Sequence, residues 1–399
     1  MAIDHFLMSM FLILLLGRLL SELGHRLGWP SVVGEILAGL LIGPSLLNWV
    51  TPDPTLAIIA ELGVILLLFD IGCKTSMKHL YHSGRSVFWV ALLGIILPGV
   101  STGLAAAYWL ELSTFSAIFF GCALTATSIG ISLRVLTQAG QQQNPAGHII
   151  LGAAVVDDIV GVALLSLMFN FAISGRIDLA STARLSLVIV AFLLLSLIAT
   201  RMLIYLFRAL QPRAKHSGYE TLAAMSLIYL FTWLAHWVGA PTLLGGFIVG
   251  MALSRQFVSP INRYLQNPFS FTHQLEQATR PLVDMLAPVF FVYIGISLDL
   301  SQLHISWSGL AILLWLSLIA IVSKLLAGLV VKGNWRQKLL IGSAMIPRGE
   351  VGLVFAKLGH QLGVLPPKLF AELILIIAIT TLIGPLLLKW VLSGQQTHS

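Results

Sequence analysis

The stretch AAVVDDIVGVALLSL (Ala153–Leu167) places two adjacent carboxylates, Asp157 and Asp158, in the middle of an apolar run. No other charged residue occurs between Ile149 and Phe169. An apolar segment of about 20 residues spans a bilayer, so both aspartates are expected near the midplane. A charged side chain there costs about 2.5–3.5 kcal/mol on insertion scales and commonly marks an ion or proton pathway. The pair therefore predicts a membrane helix that handles cations or protons.

The composition of the 399-residue chain excludes an ordinary soluble protein, because 57% of its residues are hydrophobic and only 10% are charged. Soluble domains carry about 25% charged residues. The two cysteines, Cys73 and Cys122, lie in or at the end of apolar segments, so we expect no disulfide and no resident metal site. No cofactor is expected either.

Charged or turn-rich breaks divide the chain into thirteen apolar segments, which predicts an all-α polytopic membrane protein. The ninth segment is short and rich in glycine. The predicted helices are His5–Leu23, Pro30–Trp49, Thr55–Cys73, Ser86–Trp109, Thr114–Leu136, Pro145–Ile173, Thr182–Phe207, Tyr219–Val238, Thr242–Leu253, Pro281–Leu298, Ser308–Val331, Lys338–His360 and Lys368–Val391.

Basic residues indicate how these helices are oriented. Sixteen of the 23 lysines and arginines lie in loops or at the adjoining helix ends on one side of the predicted helices, and only Arg176, Arg184 and Lys368 lie in such places on the other. The basic side is expected to be cytoplasmic, with the N-terminus outside and the C-terminus inside. The formal net charge of +7 is thus a topology signal and does not predict nucleic-acid binding.

Two motifs of the first half recur in the second half. GEILAGLLIG (Gly34–Gly43) is echoed by GGFIVGMALS (Gly245–Ser254), and LGVILLLFDIG (Leu62–Gly72) is echoed by APVFFVYIGIS (Ala287–Ser297). An odd number of predicted helices separates each pair, so the two halves would insert with inverted topology. Inverted repeats are typical of secondary transporters, whose sites form at the midplane from interrupted helices.

Two predicted helices contain residues that interrupt helical hydrogen bonding. LTATSIGIS (Leu124–Ser132) carries hydroxyls and a glycine at its centre, and in MIPRGEVG (Met345–Gly352) a proline and a glycine bracket Arg348. Carbonyls and hydroxyls freed at such a break can line an ion cavity, and the helix ends contribute partial charges of both signs. The repeat offset places Thr127 and Ser128 at the position equivalent to Arg348, which favours a transporter.

The two aspartates cannot share one environment, because neighbouring residues on a helix point about 100° apart. Lys324, the lone charge in LIAIVSKLLAGLV, is a candidate partner for one of them, since an unpaired buried ammonium is very unfavourable. A desolvated carboxylate binds either a proton or a cation, so competition between the two would couple their fluxes.

These polar residues also have structural interpretations. The aspartates could belong to a structural polar network, and Lys324 could extend toward the cytoplasmic surface. Thr127 and Ser128 could be ordinary helix-packing residues. Asp70 lies near the inner end of its helix beside Lys74, so it is either a surface acid or an ion ligand.

GEILAGLLIGPSLL, LTATSIGIS, VVDDIVG and MIPRGEVGLVFA together resemble the monovalent cation:proton antiporter-2 family, the bacterial sodium/hydrogen exchangers. The resemblance covers nearly the whole chain. It implies thirteen helices, two crossed broken helices in a six-helix core, and a homodimer in which each core moves like an elevator. Residues 1–399 would form a single transmembrane domain, with core helices at about 86–173 and 308–391 and dimerisation helices at about 5–73 and 219–298.

The resemblance also implies roles for individual residues. Asp158 would carry the cation and the proton, and Asp157 would pair with Lys324. The implied set is Asp158, Asp157, Thr127 and Ser128 for ion and proton binding with Na⁺ at the two aspartates, Lys324 as charge partner, Arg348 and Glu350 as core-stabilising charges, and Asp70 as an additional acid.

The sequence leaves several functions open. The first hypothesis is a transporter, not an enzyme, that exchanges Na⁺ (or Li⁺ or K⁺) for H⁺, and it is electrogenic if Lys324 releases a proton of its own. A K⁺/H⁺ antiporter is the nearest alternative, although such relatives tend to have glutamine at the position of Asp157. A cation channel would need repeated pore-lining motifs. An intramembrane aspartyl protease would need its two acids on separate, facing helices.

Overall fold

The computed structural model describes residues 3–74, 83–174, 179–210, 219–254, 269–298, 300 and 307–396. These residues form fifteen α-helices and a short 3₁₀ helix at Gly328–Val330. The α-helices are α1 (Ile3–Arg26), α2 (Ser31–Ile42), α3 (Pro54–Lys74), α4 (Gly84–Trp109), α5 (Thr114–Ala123), α6 (Ile129–Gln138), α7 (Pro145–Ser174), α8 (Leu179–Leu210), α9 (Tyr219–Val238), α10 (Leu243–Leu253), α11 (Phe269–Ser297), α12 (Trp307–Ala327), α13 (Trp335–Ala344), α14 (Glu350–Gln361) and α15 (Pro367–Gln396).

The predicted all-α polytopic class is confirmed. Within the described part of the chain, nine helices are long and apolar enough to cross a membrane. Three shorter helices, α2, α5 and α10, are also apolar. Because the predicted fifth and twelfth segments each consist of two helices, the fifteen helices match the thirteen predicted segments, while the number of spans stays a prediction.

Both predicted helix breaks are confirmed. Helix α5 ends at Ala123 and α6 begins at Ile129, so the backbone between them is not helical. Helix α13 ends at Ala344 and α14 begins at Glu350. The hydroxyls of the first break and the proline and glycine of the second are residue types that weaken or remove helical hydrogen bonds.

Two predicted helix boundaries are wrong. Helix α2 ends at Ile42 and not at Trp49, because the following segment turns back and its amides donate to the last carbonyls of the helix, as Trp49 N does to Ile42 O at 2.9 Å. Helix α11 begins at Phe269 and not at Pro281, since Pro281 and Pro288 both lie inside it. Membrane helices tolerate internal proline when other groups satisfy the freed carbonyls.

The chain divides into two compact units. The first contains Met1–Ala57, Ser83–Thr182 and Phe291–Ser399, and therefore both helix breaks. The second contains Ile58–His82 and Ala183–Phe290. These units differ from the predicted core and dimerisation helices, whose assignment stays a prediction.

The sequence repeat has a counterpart in helix packing. A Cβ added at Gly34 would overlap the backbone of Leu20 and Ser21, where α2 crosses α1. A Cβ at Gly245 would approach the backbone of Phe231 and Thr232 in the same way, where α10 crosses α9. Gly245, Phe231 and Thr232 therefore follow Gly34, Leu20 and Ser21, respectively, by one and the same number of residues.

The second pair of echoed motifs packs equivalently. A Cβ at Gly39 of α2 would overlap the carbonyl oxygen of Val292 in α11, within the first unit. A Cβ at Gly250 of α10 would overlap the carbonyl oxygen of Phe69 in α3, within the second unit. Glycine at these crossings lets two membrane helices approach closely. The repeat predicted from sequence is therefore present in the structure.

Candidate functional site

The two helix breaks meet at one place in the first unit. The backbone N–H of Ser128 donates to the carbonyl of Pro347 at 2.9 Å, and the hydroxyl of Thr127 donates to the carbonyl of Met345 at 3.3 Å. The C-terminal ends of α5 and α13 and the N-terminal ends of α6 and α14 therefore come together. Partial negative and partial positive helix charges are thus concentrated at this crossing.

Arg348 neutralises part of this negative charge. Its side chain is fully buried, and one guanidinium nitrogen, Nη1, donates to the carbonyls of Thr125 and Ala126 at 3.0 Å each. These carbonyls follow the C-terminal end of α5, where a cation is stabilising. The hydroxyl of Thr381 on α15 donates to the Arg348 carbonyl at 2.8 Å. This bond attaches the second break, between α13 and α14, to a helix that is not interrupted.

Lys324 of α12 connects the first break to the aspartate helix. Its side chain is fully buried, and its ammonium donates to the Thr127 hydroxyl at 2.7 Å. The same nitrogen lies 3.7 Å from Oδ2 of Asp157 on α7. Gly94 of α4 leaves room for it, since a Cβ there would lie 3.6 Å from the ammonium. The interpretation of Lys324 as a lysine extending to the surface is wrong.

Oxygen atoms at the crossing remain available as ligands. Asp157 and Asp158 are 1% and 4% exposed. Among the described residues, Oδ1 of Asp157 and the hydroxyl of Ser128 have no hydrogen-bond partner although both atoms are buried. Carboxylate, hydroxyl and unwound-helix carbonyl oxygens are the groups with which transporters hold Na⁺ or H⁺ at the midplane.

The remaining predicted residues lie elsewhere or outside the description. Glu350 begins α14, but its side chain lies outside the described part of the structure. Asp70 lies in the second unit, where its carboxylate is 2.6 Å from the ammonium of Lys74, one turn later on α3.

A buried ion pair that sequence reasoning missed joins α2 to the second half of the first broken helix. Glu35 is buried, and its Oε1 lies 3.8 Å from an Nη2 of Arg134 on α6. Beside it, the Gln138 amide and the Ser31 hydroxyl form a hydrogen bond between the same two helices. In the sequence, Glu35 and Arg134 are each the single charged residue of an apolar segment, which could have suggested that they pair. Nothing in the sequence indicates that these two segments are in contact.

Comparisons with known proteins agree with this geometry. The sodium/hydrogen exchanger transmembrane family matches residues 11–394. The high-affinity Na⁺/H⁺ antiporter NhaS3 of Synechocystis sp. is 32% identical over 98% of this chain and 90% of its own length. The Na⁺/H⁺-K⁺ antiporter GerN of Bacillus cereus is 31% identical over 98% of this chain and 97% of its own. A Na⁺/H⁺ antiporter of Enterococcus hirae is 31% identical, with coverages of 95% and 96%.

Solved structures share the fold. Two structures of the sodium proton antiporter MjNhaP1 from Methanocaldococcus jannaschii align with TM-scores of 0.73 and 0.68 at 18% identity. They cover 100% and 98% of this chain, and 99% and 97% of their own. The helix breaks, the aspartate pair and the full-length match lead to one assignment: the chain is a multi-pass membrane protein that belongs to the sodium/hydrogen exchanger transmembrane family, a family of antiporters.

Proposed function

We propose that this protein exchanges Na⁺ for H⁺, with Asp158 holding the cation and the proton in turn. The observation that carries the proposal is a pair of buried carboxylates beside the crossing of two helix breaks. A desolvated carboxylate binds either a proton or a cation. Asp158 would therefore exchange one ion directly for the other, and this direct exchange couples the two fluxes.

Asp157 and Lys324 have a separate role in this proposal. Their 3.7 Å contact and the Lys324 bond to Thr127 hold the ammonium in place while the site has no cation. A cation that binds at the aspartates competes with the ammonium for Asp157, and Lys324 would then release a proton. Two protons would exchange for one Na⁺, so transport would be electrogenic.

The movement and the setting of the protein are part of the same proposal. The core helices at about 86–173 and 308–391 would slide as an elevator against dimerisation helices at about 5–73 and 219–298, in a homodimer. The chain would lie in a bacterial inner membrane with its N-terminus outside and its C-terminus in the cytoplasm, as the basic loops favour. Arg348 and Glu350 would stabilise the core, and Thr127 and Ser128 would add oxygen ligands for the ion.

The test is transport by purified protein in proteoliposomes that enclose a pH-sensitive dye. A Na⁺ pulse should change the internal pH in the wild type, and Asp158→Asn should abolish the change. Asp284→Asn is the matched control, because this exposed acid pairs, among the described residues, with Arg280 one turn away on α11, at 4.0 Å. Full activity of Asp158→Asn would refute the proposed carrier.

The same vesicles separate the alternatives. Pulses of Li⁺ and K⁺ define the selectivity, and the printed name of GerN, a Na⁺/H⁺-K⁺ antiporter, makes K⁺ the second candidate cation. An imposed voltage should change the rate in the wild type and have little effect in Lys324→Gln if the lysine carries the second proton. Cation leak without proton movement would indicate a channel, and cleavage of a membrane peptide would indicate a protease.

A further inference from the structure

A cavity of about 400 Å³ lies between α7, the aspartate helix, and α14, the helix that follows the second break. Its α7 wall consists of Val162, Leu165, Ser166 and Phe169. These residues follow Asp158 by four, seven, eight and eleven positions, which is the spacing of one helix face. The cavity therefore lies along the face of α7 that carries Asp158 and not along the face of Asp157.

The cavity extends away from the crossing toward one side of the membrane. It begins one turn beyond Asp158, at Val162, and reaches Phe169 near the end of α7. By the distribution of basic loops, α7 runs from the cytoplasmic side to the outer side. The cavity thus occupies the outer half of the protein, between Asp158 and the outer surface.

Lys357 carries the only charge among the described residues that line this cavity. The α14 wall consists of Val354, Lys357, Leu358 and Gln361. Lys357 is exposed, and no carboxylate of the described residues lies within ion-pair distance of its ammonium. A positive charge on the route to a cation site is unexpected, because it repels the ion that the site binds.

We propose that this cavity is the water path to Asp158 from the outer side, and that Lys357 lowers the apparent affinity for the cation that enters there. The inference rests on the proposed exchange at Asp158. Ser166 lies about 12 Å along the helix axis from Asp158, at 1.5 Å per residue, and Lys357 lines the same cavity as Ser166. A unit charge at about 12 Å changes cation binding about twofold at the dielectric constant of water and about tenfold at an effective value of 20.

The experiment compares cation affinity at the two faces of the membrane in Lys357→Gln. Right-side-out vesicles present the outer face to added Na⁺, and everted vesicles present the cytoplasmic face. The variant should lower the KM for Na⁺ about two- to tenfold at the outer face, and any change in the cytoplasmic KM should be smaller, because ions from that face do not pass Lys357 on their way to Asp158. The difference should be largest at about 0.01 M salt and nearly vanish at about 1 M, because the Debye length falls from about 30 to 3 Å.

Lys368→Gln is the matched control. Lys368 is exposed, lies on the same predicted side and contacts Glu372 at 3.9 Å on α15 instead of lining the cavity. This substitution makes the same change in total charge, so an effect specific to the cavity should leave the outer KM of Lys368→Gln at the wild-type value. An equal change in both variants would overturn the proposal.

A cysteine at the same position tests water access directly. In a background with Cys73→Ala and Cys122→Ala, Lys357→Cys should react with membrane-impermeant thiosulfonates added at the outer face only. A negatively charged reagent should lower the outer KM further, and a positively charged reagent should restore it toward the wild-type value. Absence of reaction, or reaction from the cytoplasmic face only, would overturn the water path.

Other outcomes distinguish failure of this inference from failure of the proposed Na⁺/H⁺ exchange on which it rests. If the wild type shows no Na⁺/H⁺ exchange, the proposed function fails. If the wild type exchanges but Lys357→Gln keeps the same outer KM, only the role of Lys357 fails. If the change in KM appears in vesicles with anionic phospholipid and disappears in purely zwitterionic lipid, Lys357 faces a lipid phosphate and the proposal is again overturned.

Discussion

The break between α5 and α6 and the break between α13 and α14 occupy equivalent places in the two halves, yet they differ in chemistry. The first, Leu124–Ser128, has hydroxyls and carbonyls outside helical hydrogen bonding but no charged side chain. The second, Met345–Gly349, contains the buried Arg348, which donates to carbonyls of the first. One half supplies oxygen atoms and the other supplies the charge that keeps them together. The two breaks therefore occupy equivalent positions in the repeat but have opposite electrostatic roles. The first supplies partial negative charge on oxygen atoms, and the second supplies the positive charge of Arg348.

The largest expected effect is at the second break. Arg348→Gln removes the guanidinium from the two carbonyls that follow α5. A hydrogen bond to a charged group contributes about 1.5–3 kcal/mol, so we expect the loss of two such bonds to lower the free energy of unfolding by roughly 3–6 kcal/mol. Thermal unfolding in detergent measures the loss. Lys332→Gln, at an exposed site, should change stability by less than about 0.5 kcal/mol. Equal unfolding temperatures for the two variants would contradict the division of roles.

A smaller effect is expected at the first break. Thr127→Val removes the hydroxyl that accepts from Lys324 and donates to the Met345 carbonyl, and it leaves the ammonium with the longer Asp157 contact. The cost should be about 1.5–3 kcal/mol, the value of a hydrogen bond to a charged group. Thr125→Val is the matched control, since its hydroxyl donates to the Cys122 carbonyl of the preceding turn and, within the described part of the chain, makes no bond to Lys324. A Thr125→Val variant that unfolds as readily as Thr127→Val would show that Lys324 does not depend on this bond.

The smallest effect concerns the fit of one break against the other. A Cβ at Gly349 would lie 2.7 Å from both Cβ and Oγ of Ser128, so Gly349→Ala should cost about 1–3 kcal/mol through overpacking. Strain at the backbone is not the cause, because Gly349 has φ −148°. Ser128→Gly in the same chain should restore most of the stability, and a double-mutant cycle measures this coupling. Independent, additive effects would mean that the two breaks do not contact at this point.

Much of the fold could be predicted because membrane segments carry strong local signals. Apolar length marked the helices, and Pro347 and Gly349 marked one break by removing or loosening helical bonds. The predicted start of α11 is wrong because proline is common in the first turn of a helix, whereas Pro281 lies inside this one. In a membrane helix, neighbouring groups can satisfy the carbonyls that an internal proline frees, so proline is a weaker boundary signal there.

Contacts between distant segments were harder to predict. The sequence suggested Lys324 as a partner of an aspartate, but not its shorter bond to Thr127, because that bond depends on how α12 crosses the break. The buried pair of Glu35 and Arg134 was missed for the same reason. Hydropathy predicts the depth of a residue in the membrane, but the direction of its side chain depends on helix packing.

The bond between Arg348 and the carbonyls of Thr125 and Ala126 also constrains how the protein is made. The donor is synthesised more than two hundred residues after the acceptors, because 223 positions separate Arg348 from Thr125. At about 5–20 residues per second, translation of that interval takes about 10–45 seconds. During this time the uncapped carbonyls would be costly in lipid and need water, the insertion machinery or a temporary partner. The first half inserts without its neutralising charge, so the crossing of the two breaks, where we propose that the ion binds, is completed only late in synthesis, when the second break reaches the membrane.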